Sequence, residues 1–410
     1  MLLNSLLLAG FLKSIGGVLL AVLVLLAMIT IHEFGHYIAG KILGFKITEF
    51  SIGFGPALFK KRSKKTGEIF ALRIIPLGGY CAFDGEDDFG EEAEKQEEPF
   101  EELAPETENE GGTTALNAEI DPESEYPEPQ GERFNDQAPW KRIIVLIAGA
   151  TMNYLLALGL ILIMFACLGR PMYRVDKFIE AKPIEQTAAQ TSVLEQPIDT
   201  LEIGDIIKEI DGKDVYMITD YMSVLDGRKQ GELIPVTVIR DGEERTVSLL
   251  LVVDANINNM TDTHNLLSAM GIQKMSTETL KLGFWETIGD TFTYSVKLAG
   301  TILRSLGELL TGKLSITSMG GPVTTIKVTA EASTSGLLSF LNVAALIGVN
   351  LAVFNLLPVP ALDGCKVVFC IIEWIRKKPV NRKLETIIHL IGILFLFGFA
   401  ILVDVLQWIL

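Results

Sequence analysis

The run Ser14–Ile31 is eighteen residues without a charge, and it leads directly into His32-Glu33-Phe34-Gly35-His36. A stretch of that length is a candidate transmembrane helix. Continuing the helix through the motif sets His32 and His36 one turn apart on the same face. Two imidazoles at that spacing can hold one zinc ion, with Glu33 placed as general base. Ionisable groups at membrane depth are costly unless they are paired or bound to metal. The fold is therefore expected to bring at least one more polar partner to this end of the helix.

The composition fits that picture. Of 410 residues, 49% are hydrophobic, as expected of a membrane protein with sizeable polar parts. The net charge of −16 is misleading, because 21 acidic residues lie between Asp84 and Ala138 against only Lys95 and Arg133. The rest of the chain is net positive, so the acidity belongs to one insert and says nothing about partners of the protein as a whole; no nucleic-acid partner is expected. This Glu- and Pro-rich stretch has too few large apolar residues to offset the entropy of ordering, and reads as a disordered loop. Cys81, Cys167, Cys365 and Cys370 are scattered, giving neither a disulfide framework nor a CxxC site. No small-residue cleavage site follows the first apolar run, so it reads as a retained span.

Charge placement orders the rest. Basic residues from Lys41 to Arg73 follow the first span and mark that side as cytoplasmic, with the N-terminus outside. The expected organisation is a first span carrying the motif (1–44), a cytoplasmic, membrane-associated β-region (45–83) and the acidic cytoplasmic loop (84–138). A second span (139–170), an external β-domain (171–256) and an amphipathic connector (257–331) follow. A third span (332–365), then a cytoplasmic loop with a fourth span (366–410), complete the chain. Short strands are expected around Gly53-Phe54-Gly55 and from Ile69 to Phe83. Within the external domain, Asp241-Gly242 marks a hairpin. Phe284–Leu310 has helical apolar spacing but carries Lys297, Arg304 and Glu308; it is expected to lie along the membrane or pack on the bundle. Asn153, in the second span, is expected to bond a neighbouring helix.

A zinc site with two histidines needs a third protein ligand and an open position. His264 falls in the external part, and His389 has no partner at a suggestive spacing. Asp363 is the better choice, as an acid at the inner end of an apolar run, at the depth of His32 and His36. Asn355, near the same end, can donate to an oxyanion or hold a substrate backbone. A peptide bond inside a helix must be unwound before attack. An extended edge near Gly53, Gly55 or the strand around Arg73 could capture the freed backbone.

His32-Glu33-Phe34-Gly35-His36 together with Asn355-Leu356-Leu357-Pro358-Val359-Pro360-Ala361-Leu362-Asp363-Gly364 resembles the site-2 protease family of intramembrane metalloproteases. The order of spans and domains resembles its bacterial RseP/RasP branch. Gly53-Phe54-Gly55-Pro56, Ile75-Pro76-Leu77-Gly78-Gly79-Tyr80, Ala148-Gly149-Ala150-Thr151-Met152-Asn153 and Gly321-Pro322-Val323 add to the likeness. The resemblance implies a polytopic α-helical membrane protein with four transmembrane helices, membrane-associated β-strands and an extracytoplasmic PDZ domain. It implies zinc on His32, His36 and Asp363, Glu33 as catalytic base, and Asn355, Gly53, Gly55 and Arg73 near the substrate. The Gly204-Asp205 turn takes its usual PDZ place. The implied substrates are single-span membrane proteins, namely anti-sigma factors after a first cut and remnant signal peptides. Cys365 departs from the usual Leu-Asp-Gly-Gly, and Thr200-Leu201-Glu202-Ile203-Gly204-Asp205 from the usual Gly-Leu-x-Pro-Gly-Asp. The alternative is a non-catalytic adaptor holding membrane proteins through its PDZ domain.

Overall fold

The computed structural model describes residues 2–86, 126–179 and 199–409. Among them, four helices are long and apolar enough to cross a membrane: Ser14–Leu43, Pro139–Leu168, Leu337–Asn355 and Arg382–Ile409. The chain divides into two compact units, residues 1–155 with 351–400 and residues 156–350 with 401–410.

The first unit opens with α1 (Leu2–Leu43), followed by two long strands, β1 (Ile47–Arg62) and β2 (Ile69–Phe83). The turn signals at Pro56, Pro76 and Gly78-Gly79 bend these strands without ending them. Phe50 pairs with both Cys81 and Phe70, while Lys60, in the second half of β1, pairs with Ala71. Their outer surface is apolar: Phe54, Leu58, Phe59, Ile74 and Ile75 are all exposed. The end of the acidic insert departs from the expected disorder. Phe134 is buried against Phe45 and Phe83, and Glu132 bridges Phe45. One aromatic side chain supplies enough buried surface to hold that end, whereas 87–125 lie outside the described residues.

The helix α2 (Pro139–Leu168) enters this unit with its first half. The unit also holds the end of the third long helix, α8 (Asp363–Arg376) and most of α9 (Arg382–Ile409). The third long helix does not run from Ala332 to Cys365. The chain is broken by Gly336, whose φ is 127°, into α6 (Pro322–Ser335) and α7 (Leu337–Asn355). An irregular Leu356–Leu362 segment follows, and Asp363 opens α8. Pro358 and Pro360 lack the N–H groups that would continue α7, and Ala361 takes a φ of 80°.

The second unit is built around a six-stranded sheet of β3 (Arg170–Phe178), β4 (Ile206–Ile210), β5 (Lys213–Asp214), β6 (Leu233–Arg240), β7 (Glu243–Leu250) and β8 (Ile272–Leu280). The order is β7-β6-β4-β3-β8, with β5 beside β4. Alternate residues Val236 and Val238 of β6, with Ile207, Ile210 and Leu249, bury one face against α3 (Ile218–Leu225) and α4 (Thr263–Ala269). Asp241 and Gly242 both have positive φ, and Arg240 pairs with Glu243 across them. That is a two-residue hairpin turn.

The helix α5 (Phe284–Leu310) reverses ordinary amphipathicity. Its buried residues, Thr287, Thr291, Tyr294, Ser295, Leu298, Ile302 and Glu308, are mostly polar or hydroxylic, while Phe292, Val296, Leu303 and Leu310 face outward. A helix on a water-soluble surface would present the opposite faces. The Gly321-Pro322 start of α6 meets the far end of α9. The Asp404 carboxylate accepts from the Val323 and Thr324 N–H groups at 3.0 and 3.2 Å. A Cβ on Gly321 would lie 2.5 Å from that carboxylate, so the glycine makes room for the cap.

Candidate metal centre

The helical continuation through residues 32–36 places both imidazoles on one face of α1, where they meet Asp363 at the first turn of α8. His32 Nε2 lies 3.0 Å from Asp363 Oδ2 and 3.1 Å from His36 Nε2, and His36 Nε2 lies 3.4 Å from the same oxygen. Both histidines are only 7% exposed. All three donor atoms fall within 4.8 Å of one another. The structure thus brings together the three residues the sequence singled out as ligands.

The opposite side of His36 is also held. Its Nδ1 donates to the Val145 carbonyl of α2 at 2.8 Å. With the proton on Nδ1, the Nε2 lone pair is left facing His32 and Asp363, the tautomer a metal ligand requires. His32 Nδ1 lies 3.4 Å from the Nδ2 atoms of both Asn153 and Asn355. Buried Asn153, on α2, thus contacts the His32 imidazole of a neighbouring helix.

Space for the rings depends on two glycines. A Cβ on Gly149 would stand 2.4 Å from His36 Nε2 and 2.8 Å from His32 Cε1. A Cβ on Gly35 would stand 2.4 Å from the Ala148 carbonyl oxygen, so α1 and α2 cross there backbone to backbone. Small residues at such crossings permit close approach of apolar helices.

Glu33 points to the strands. Its Oε2 accepts the Cys81 backbone N–H at 3.1 Å. The Cys81 thiol is pushed up by burial and by the nearby Glu33 charge, and the contact with Glu33 is made by its main chain. A backbone donor carries no residue-type signal, and sequence reading passed over it.

The remaining sequence-selected residues have other surroundings. Arg73 bonds Glu49, Ser51, Tyr80 and the Gly55 carbonyl, tying the bends of β1 and β2 together. Gly53 has a φ of 86°, and a Cβ there would press on the Ile75 carbonyl at 2.7 Å. Among the described residues, neither glycine nor Arg73 touches His32, His36 or Asp363. Asp205 is buried, accepts the Glu202 N–H at 2.8 Å and takes a two-point contact from Arg240 at 2.7 and 2.8 Å. It locks the Gly204 turn onto β6. His264 lies on α4 of the second unit, and His389 accepts the Ala361 N–H at 3.1 Å.

Two imidazole nitrogens and a carboxylate oxygen, with one imidazole tautomer already fixed from behind, form a donor set suited to zinc. The absence of a side chain at Gly149 leaves room for both rings in these positions. The comparisons agree. The protein FN1322 of Fusobacterium nucleatum is 29% identical over 390 residues, 94% of this chain and 97% of that one. The zinc metalloprotease RasP of Bacillus licheniformis is 27% identical over 418 residues, covering 92% of this chain and 94% of its own. The regulator of sigma-W protease RasP of Bacillus subtilis is 26% identical over 412 residues, covering 90% and 92%. The family model for Peptidase family M50 matches residues 20–399, which take in both histidines, Glu33 and Asp363. This chain belongs to Peptidase family M50.

Proposed function

We propose that the protein is a zinc endopeptidase that cuts single-span membrane proteins within their transmembrane segments. The observation that carries this reading is the meeting of His32, His36 and Asp363 at one point, on or directly beside helices of spanning length, with Glu33 alongside. In this reading His32 Nε2, His36 Nε2 and Asp363 Oδ2 hold the ion. Bound there, zinc supplies Lewis acidity, bringing the pKa of a coordinated water from ~15.7 towards ~7.

The rest is the work of the chain. Glu33, oriented by the Cys81 N–H, takes the water proton and returns it to the departing amide nitrogen. Asn355 has its amide beside His32 and is positioned to donate to the developing oxyanion. The outward apolar surface of β1 and β2 suits a hairpin resting in lipid. Because β2 borders Glu33 through Cys81, an unwound substrate could add as a strand close to the base. Gly53, Gly55 and Arg73 would then act by shaping that hairpin.

The sheet of the second unit, with α3 and α4 closing its core, supports a PDZ domain on the extracytoplasmic side. Gly204 and Asp205 would act there as structural elements. The RasP relative named for sigma-W regulation supports substrates of the anti-sigma type, and the family resemblance adds remnant signal peptides. The four-span topology, with the acidic insert in the cytoplasm and both termini outside, rests on the basic residues after the first and third spans.

The test is Glu33→Gln in proteoliposomes containing a single-span substrate with an N-terminal fluorophore. Cleavage should fall by at least ~100-fold while bound zinc stays at the wild-type level. Undiminished cleavage would refute the assignment. A wild-type protein that binds the substrate, holds no zinc and never cuts it would instead be an adaptor.

A further inference from the structure

The first unit contains a cavity of about 400 Å³ separate from the histidine cluster. This is within the range of small-ligand sites. Its wall is made by the first turns of α2 and α9, by α8 and by Glu86. Four cations line it: Arg142, Lys366, Arg382 and Lys383.

Arg142 is only 1% exposed. Its Nη2 is 2.8 Å from Glu373, but Nε and Nη1 have no hydrogen-bond partner among the described residues. Buried guanidinium donors left unpaired are costly. Arg382 contacts the same Glu373 at 3.4 Å and Glu385 at 3.0 Å. Lys366 pairs with Glu86 at 2.7 Å, and Lys383 has no ion pair among the described residues. Among the described residues, the carboxylates beside these four cations are Glu86, Glu373 and Glu385.

The position narrows the ligand. Arg142 and Arg382 both sit in the first turns of helices long enough to span, a level that the proposed four-span topology puts where a membrane meets water. Leu390 and Ile393 extend the same wall along α9 with apolar surface. Basic pockets between spanning helices at that level suit lipid head groups.

We propose that this cavity binds a phosphate-bearing anion, with Arg382 and Lys383 as its entry cations and Arg142 at its base. Two sources share that chemistry, an anionic phospholipid head group and free phosphate. The site is distinct from the metal centre and does not depend on the proposed proteolysis.

The experiment uses the full chain in neutral maltoside micelles. Phosphatidylglycerol or phosphatidylcholine is titrated in and retained lipid is counted by native mass spectrometry; inorganic phosphate is titrated separately by calorimetry. The variants are Arg382→Gln/Lys383→Gln, the milder Lys383→Gln, and a charge-matched control, Lys60→Gln/Lys61→Gln. Wild-type zinc content serves as the check that each variant is folded. Phosphatidylglycerol should be retained in preference to phosphatidylcholine. Its affinity should weaken by about 30-fold in the double variant and about 5-fold in Lys383→Gln, with the control unchanged. If only inorganic phosphate binds, with the same dependence on Arg382 and Lys383, the site is confirmed and its source is the free anion. If neither ligand binds, or if the control loses as much as the double variant, the proposal is overturned.

Discussion

Gly149→Ala tests the architecture of the metal centre with a single methyl group. The new Cβ would stand 2.4 Å from His36 Nε2 and 2.6 Å from His36 Cε1. Ordinary van der Waals contact begins near 3.4 Å, so the ring must retreat by about 1 Å. His36 cannot swing freely, because its Nδ1 is bonded to Val145 on the same helix as the new methyl. Zinc ligands hold their distances to within about 0.2 Å, so a displacement of 1 Å removes His36 from the donor set. In an enzyme, misplacement by 1 Å costs on the order of 100-fold in rate. Gly149→Ala should therefore purify with substoichiometric zinc and cleave about 100-fold more slowly. Helix propensity works the other way, since alanine is favoured over glycine by about 1 kcal/mol within a helix. Gly159→Ala, on the same helix with nothing within 4 Å of the new Cβ, isolates that contribution and should be active with full zinc. Metal content by atomic absorption and cleavage in proteoliposomes are the two readouts. Full zinc and wild-type cleavage in Gly149→Ala would refute the packing argument.

Other expectations follow from single contacts. Asp363→Ala should lower bound zinc at least 10-fold by removing the only carboxylate of the cluster, as equilibrium dialysis would reveal. Asp205→Ala removes the two-point partner of Arg240, which keeps Asp199 and the Thr200 carbonyl, and should destabilise the second unit's sheet by roughly 2 kcal/mol, measured from its denaturant midpoint. Asp262 caps α4. Burial alone would raise its carboxyl, but hydrogen bonds from Asn258 and Asn265 outweigh that and hold it below the usual carboxylate value. With the folded value depressed, its stabilisation is complete above the ordinary pKa near ~3.9 and disappears as pH falls through the folded value. Amide exchange at Asn265 should accelerate, beyond the intrinsic pH effect, only in that acidic window.

What the sequence could disclose of the site depended on whether the information was local. His32 and His36 were readable because helical periodicity alone puts them on one face. Asp363 was readable because an acid closing an uncharged run needs a partner. The same charge count misjudged the third span. Leu356–Leu362 carries no charge, so it looked like helix, although Pro358 and Pro360 already forbade the hydrogen bonds. The strand expected from Ile69 to Phe83 is β2 with its observed bounds, whereas the short strand expected around Gly53-Phe54-Gly55 runs on to Arg62, because Pro56 reports local geometry and not whether pairing resumes beyond it. Asp205 was selected for its place in a turn, while its two-point bond to Arg240 required knowing that β4 and β6 are neighbours. Gly35 and Gly149 were the least visible. A glycine in an apolar helix marks a close approach without naming what approaches. Here one meets a backbone carbonyl and the other two imidazoles. The carbonyl of Val145 and the N–H of Cys81 had no sequence signature at all, since every residue except proline carries both groups. The cluster could thus be named from its side chains, whereas the contacts that aim His36 and Glu33 belong to the backbone and needed the fold.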